Sequence, residues 1–328
     1  MSGLTKKINS KDRATWLKAR EGIVTATKMI RLLGGRGLAC FLDVVGDLRG
    51  GHVVNRVFES GYVMRPTPLD ENMPMLKWGR EMEEKVFVGW HNFYPHIDIE
   101  YPGSLYVTGC GRWGATPDWV STDGRWVGEI KTAWSRDLPA DVWGIPDAYL
   151  LQVLHQLYCT GAEWALLLFA FPSYTEPSNM DRARMCQFVL KAPTPREYER
   201  LVLNDALPLL RDPHLTLLQL ESHYQTLRNR TLNFALQMAR RCVVAFDPDV
   251  SAVQACHSRP LPPFENTGGY GPLPSCQPLI ADSFPRPLPS PPPSSAGTSC
   301  PAAGRSSFAW SRIVQTTAGS PPSEPVPR

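Results

Sequence analysis

An α/β domain, a β-sheet covered by helices, is the fold class this 328-residue sequence predicts. Apolar residues recur at helical spacing on both sides of a group of short extended runs. The run "EWALLLFAF" (163–171) is continuously apolar, the mark of a strand buried on both faces. Read in order, the segments give helix, strands, helix, two strands and helices, which suits a sheet with helices packed over it. The last quarter breaks this pattern. Residues 251–328 hold 17 of the 32 prolines, too many for regular helices or central strands, so a folded domain over 1–245 and a disordered Pro/Ser-rich tail over 246–328 are expected. "FAWSRIV" (308–314) is the one apolar island in that tail, either passing hydrophobicity or a short docking motif.

Within the folded part, "KDRATWLKAREGIVTATKMIRLLGG" reads as two short helical segments broken around "GIVTA", with Ser10 or Asp12 as N-cap and "LLGGRG" as a stop. Residues 38–60 are mostly helical, and the Pro-rich loop "MRPTPLDENMP" follows them. In "KWGREMEEKVFVGWHNFY", Met82, Val86, Phe87 and Trp90 form one apolar stripe of a helix. Strands are expected at 97–101 and 104–108, then a hairpin in "ATPDWVSTDGRWVGEIKTAW" (115–134) turning at Asp123-Gly124. Helical period returns at 147–160, with Leu150, Val153, Leu154 and Leu157 facing inward. After the strand at 163–171 come a further strand, "RMCQFVLK", and helices at 194–211 and 216–240.

Composition narrows the function classes. A formal net charge of +3 does not mark a nucleic-acid binder in bulk, so any such site is a local groove. The eight cysteines contain no C-x-x-C pair, which argues against a zinc knuckle, a redox dithiol or a four-cysteine cluster. Free thiols, a polar N-terminus and the lack of an ~18-residue apolar run predict a soluble intracellular protein of nucleus or cytoplasm, with no membrane span.

The hairpin carries three charges where packing is expected. Strand residues alternate faces, so Glu129 and Lys131 point one way and Ile130 the other. Closure at the turn places Asp118 near Glu129. Two adjacent buried carboxylates repel and lose hydration, a cost relieved if a hard divalent cation sits between them with the Ile130 carbonyl as a third oxygen. Lys131 then stands beside a bound water or phosphate oxygen. This is the physical content of a P-D-x(n)-E-x-K nuclease site. The plainer alternative is an exposed hairpin decorated with charges.

Four segments in order extend the pattern: "WLKAREGIVTAT" (16–27), "WGREME" (78–83), "ATPDWVSTDGRWVGEIK" (115–131) and "AYLLQVLHQLYCTG" (148–161). Together they resemble the YqaJ viral recombinase family, to which phage lambda exonuclease is related, over residues ~12 to ~211. The resemblance implies a restriction-endonuclease-like core, a central mixed β-sheet flanked by helices. It also implies Mg2+-dependent digestion of one strand of double-stranded DNA from the 5′ end, with Mn2+ able to substitute. By the same resemblance Asp118 and Glu129 are metal ligands, Lys131 is the catalytic lysine, and Glu83, four residues after Gly79, approaches the metal or its waters. Gln152 positions the nucleophile or phosphate, and Tyr149 precedes it on the helix. Arg20 and Thr27 match an arginine and a serine that hold DNA phosphate near the 5′ end; threonine keeps the hydroxyl donor.

Where the family commonly has glycine after P-D, this chain has Trp119, read as core packing. His155 is read as a structural histidine and is not assigned chemistry. Implied partners are double-stranded DNA ends, a single-strand annealing protein and two further copies in a toroidal homotrimer. Endonuclease or nickase action by the same fold, and a non-catalytic DNA-binding module, stay open as alternatives.

Overall fold

The strands fall into two sheets in the computed structural model, which describes residues 6–8, 13–49, 51–67, 73–132, 139–171, 184–212, 214–247 and 250. The smaller sheet holds β1 (Lys6–Ile8), β2 (Val24–Thr25), β4 (Leu105–Val107) and β5 (Trp113–Ala115), ordered β1-β4-β5-β2. The larger holds β3 (Ile99–Glu100), β6 (Trp119–Ser121), β7 (Trp126–Thr132), β8 (Trp164–Phe171), β9 (Arg184–Lys191) and β10 (Val243–Asp247), ordered β10-β9-β8-β7-β6-β3. Its β7–β8 pair is parallel and the other pairs are antiparallel, so the sheet is mixed. A parallel pair needs a long crossover, and the helix α6 (Asp147–Thr160) lies within it.

The remaining helices are α1 (Arg13–Ala19), α2 (Met29–Leu32), α3 (Gly37–Arg49), α4 (His52–Glu59), α5 (Pro74–Phe93), α7 (Pro195–Tyr198), α8 (Asn204–Arg211), α9 (Leu217–Thr226) and α10 (Leu232–Cys242). Wide π turns at Glu199–Leu203 and Leu227–Thr231 join α7 to α8 and α9 to α10. Helical periodicity therefore places the helices well. The strands differ more. The apolar run before the hairpin is divided: β5 belongs to the small sheet and β6 to the large one, with Pro117 between them. β1, β2 and β10 carry too few residues of clear alternation to be read from sequence.

β8 confirms the two-sided burial that its composition predicts. Ala165, Leu167 and Phe169 join the main core with α6, while Leu166, Leu168 and Ala170 join a second core beneath α5. The α5 stripe of Met82, Val86, Phe87 and Trp90 is buried as predicted. β10 runs across residue 245, and Val250 is fully buried in the second core, so the folded part reaches at least that residue. Residues 251–328, including the Pro-rich tail and "FAWSRIV", lie outside the described residues. No helix among the described residues is long and apolar enough to cross a membrane.

Two contacts fix the part of the fold that matters for the site. Trp119 is fully buried, stacks on Trp90 with ring centroids 5.1 Å apart, and lies over Gly128; a Cβ there would stand 1.8 Å from its ring. The indole is core packing, and it requires glycine at the strand position next to Glu129. His155, on the buried α6, has Nδ1 at 2.8 Å from the Tyr198 hydroxyl and Nε2 at 3.3 Å from the Val24 carbonyl. Since a carbonyl only accepts, Nε2 carries the proton and Nδ1 accepts from the phenol. Burial lowers its pKa from 6.5 to about 4, against the Val24 contact, which raises it.

Gly128→Ala should lower thermal stability by about 1–3 kcal/mol through overpacking, and Trp119→Leu in the same chain should recover part of it, as melting curves of the three variants would show. His155 adds a pH dependence. The unfolded chain takes up this proton near pH 6.5 and the folded chain only near pH 4. Its stabilisation is thus complete above pH 6.5 and is lost as pH falls towards 4, about 3 kcal/mol in all. In His155→Gln the difference in melting temperature between pH 7 and pH 4.5 should shrink accordingly.

Candidate active site

The hairpin closes through a four-residue loop, Thr122–Arg125, wider than the two-residue turn expected from "DG". Gly124 N–H donates to the Ser121 carbonyl at 2.8 Å, and Gly124 itself takes φ +70°, which favours glycine. Ser121 Oγ accepts from Trp126 N–H at 2.9 Å and closes the loop base. Register then follows: Trp119 faces Gly128 and Val120 faces Val127. One step further, Asp118 stands opposite Glu129, with its N–H donating to the Gly128 carbonyl at 2.9 Å. This is the pairing the turn predicts, reached with a different loop.

β6 begins only at Trp119, so beside Ile130 the sheet lacks a backbone partner on that side. The Asp118 carboxylate supplies one, accepting from Ile130 N–H at 2.6 Å. The N–H and C=O of a strand residue point the same way, so the Ile130 carbonyl opens to the same gap. The Ile130 side chain is buried in the core beneath α5.

Glu129 is only 2% exposed and faces α6. Its carboxylate accepts from Gln152 Nε2 and Gln156 Nε2, each at 2.5 Å, and from the Lys131 ammonium. Lys131 lies 5.1 Å from the centre of the Tyr149 ring. Burial lowers the pKa of this ammonium, but Glu129 and Asp118 outweigh it and hold the group charged. On α5, Glu83 is turned in towards Asp118 while its neighbours Glu81 and Glu84 are exposed. The Gly79 carbonyl accepts from Thr132 Oγ1 at 3.5 Å, where β7 meets the helix. Burial raises the Glu83 pKa, assisted by Glu129 and opposed by Lys131 and by a hydrogen bond with Asp118. Asp118 is pushed well up by burial, then by Glu129 and Glu83.

Glu83, Asp118, Glu129, Lys131, Tyr149 and Gln152 thus converge from α5, the hairpin and α6. Gln156 belongs with them and was missed; its spacing of four from Gln152 on a buried helix was the available signal. Arg20 and Thr27 lie elsewhere in the fold, on either side of β2. The Arg20 guanidinium covers the Trp16 ring at 4.1 Å, and Thr27 Oγ1 is 3.2 Å from Thr25 Oγ1. The short turn Ala26–Lys28 packs on α6, so Thr27 is joined to the helix that carries Gln152.

Among the described residues, no group of three or more His, Cys, Asp or Glu side chains is placed to hold a metal ion. Magnesium does not need one, because it keeps several waters and takes one or two carboxylates. Asp118, Glu129 and the Ile130 carbonyl offer an open, all-oxygen set. Three carboxylates face one ammonium here, an excess of negative charge that burial makes costly and that a divalent cation relieves. The residues fit a hard divalent cation.

Among curated proteins, none matches the chain by sequence. Among solved structures, the chain is similar to an alkaline exonuclease from Laribacter hongkongensis, at 17% identity and a TM-score of 0.38, over 70% of this chain and 96% of that one. A complex of that exonuclease with dAMP gives 16% and 0.39, with the same coverage. A phage-related exonuclease from Haemophilus somnus 129PT is 9% identical with a TM-score of 0.38, over 66% of this chain and 96% of the other. The family model of the YqaJ-like viral recombinase domain matches residues 15–163, a span that runs from α1 through α6 and holds every residue of the site described above. Over those residues the chain is similar to a YqaJ-like viral recombinase domain.

Proposed function

We propose that this chain is a divalent-metal-dependent deoxyribonuclease that digests linear double-stranded DNA exonucleolytically, 5′→3′, exposing single strands for recombination or replication. The observation that carries the reading is Asp118, just before β6, bonded to the Gly128–Ile130 stretch of β7, with Lys131 on the same face as Glu129 and in contact with it. In this reading Asp118, Glu129 and the Ile130 carbonyl would hold Mg2+, which would supply Lewis-acid polarisation of the scissile phosphate and activate water. Lys131 stabilises the negative charge that builds on the phosphate. Gln152 and Gln156 hold Glu129 in one orientation. Burial is the largest cause that raises the pKa of both Glu83 and Asp118.

Polarity is assigned to Arg20 and Thr27. The stacked guanidinium is preorganised on Trp16, and a planar fork can grip a terminal phosphate with two hydrogen bonds.

Asp118→Asn and Glu129→Gln should each weaken metal binding and abolish hydrolysis while DNA binding in Ca2+ survives; Lys131→Ala should lose turnover yet still bind Mn2+ in calorimetry. Retained cleavage in either acid variant would reject the site. Linear and circular duplexes incubated with Mg2+ or EDTA separate the alternatives on one gel: linear-only loss that EDTA stops marks an exonuclease.

Linear duplexes with a 5′-phosphate should be digested faster than those with a 5′-hydroxyl. Arg20→Ala should erase most of that preference and Arg20→Lys restore it in part. Time courses on end-labelled substrates read both points; an unchanged rate ratio counts against the pocket, and shortening from the 3′ end against the polarity.

A further inference from the structure

Beside the carboxylates, the segment after β3 brings in a side chain that the sequence motifs do not mark, Tyr101. Its ring lies flat on Phe87, with centroids 4.1 Å apart and planes 8° from parallel. Phe87 is one helical turn beyond Glu83 on α5, so the two share a face, and His91 continues the stack at 5.6 Å. Two residues on, Gly103 N–H donates to the Asp118 carbonyl at 2.8 Å, and any Cβ at Gly103 would stand 2.1 Å from the Pro117 carbonyl oxygen. The segment is therefore clamped between α5 and the Pro117–Asp118 step. The half-buried phenol stands within electrostatic reach of Glu83, Asp118 and Glu84.

A phosphodiester entering this site meets three carboxylates. Lys131 approaches it from the Tyr149 side. From the Glu83 side a positive group would pair with the carboxylates and compete with the metal, whereas a neutral O–H offers a donor without cancelling their charge. We infer that Tyr101 is a substrate-positioning residue whose hydroxyl donates a hydrogen bond to a non-bridging oxygen of the scissile phosphate, an assignment that rests on the deoxyribonuclease reading above. Burial first, and the neighbouring carboxylates next, raise the phenol's pKa, so the hydroxyl keeps its proton in alkaline solution.

The test is Tyr101→Phe in the full chain, assayed with Mg2+ on a linear duplex. Phenylalanine keeps the stack on Phe87 and removes only the hydroxyl. Melting temperature and Mn2+ affinity by calorimetry should match the wild type, while kcat falls roughly tenfold or more. A phosphorothioate at the cleaved position supplies a readout that packing cannot mimic: the slowing by sulfur that Mn2+ does not relieve should be smaller in Tyr101→Phe than in the wild type. A variant with wild-type kcat and an undiminished sulfur effect overturns the assignment. So does a fall in kcat that comes with weaker Mn2+ binding or a lower melting temperature, since the ring would then act through Phe87 and Glu83. A wild-type chain that binds Mn2+ but does not cleave DNA overturns the nuclease reading itself, and that is settled before the variant is compared.

Discussion

The interaction on which the site depends is the one that keeps an ionisable carboxylate, Glu129, almost wholly out of water. A carboxylate so placed is expensive unless its oxygens are occupied by donors. Here both oxygens receive amide N–H groups from α6, and one also meets the Lys131 ammonium. Because those donors stand on one helix, the position of α6 and the orientation of Glu129 are a single constraint. His155, on the same helix, ties α6 to β2 and to Tyr198. Its neutrality matters, since a cation buried there without a carboxylate partner would be costly.

The same constraint reaches back through the sheet. Glu129 faces α6 only if β7 keeps its register against β6, and that register depends on the close approach of Trp119 to Gly128. Trp119 therefore does structural service. Its indole fills the second core against Trp90, and glycine at the facing strand position admits it.

Long helices, the doubly buried β8 and the Asp118–Glu129 juxtaposition were legible because each is written in local periodicity or in a turn. The small sheet was legible only in part: β4 lies within the strand expected at 104–108, whereas β1 and β2 are two or three residues long, too short for alternation to register. Within the site, residues of the hairpin could be placed from strand alternation alone. Glu83 could not, because Glu81 and Glu84 flank it and only the packing of α5 decides which of the three turns inward. Gln156 was hidden for the opposite reason, lying on a helix buried nearly all round, where a polar residue has no exposed face to contrast with.

The choice of donors around Glu129 has a consequence for charge. An arginine from α6 would satisfy the carboxylate equally well as a hydrogen-bond donor, but it would also neutralise it. Two glutamine amides satisfy the lone pairs and leave the negative charge in place. With Lys131 the cation that contacts Glu129 among the described residues, the three carboxylates keep a net negative potential in a region of low dielectric, where such a potential is strongest. Neutral amides hold the geometry and leave the charge uncancelled. Held by arginines instead, the carboxylates would keep their geometry and lose that negative potential.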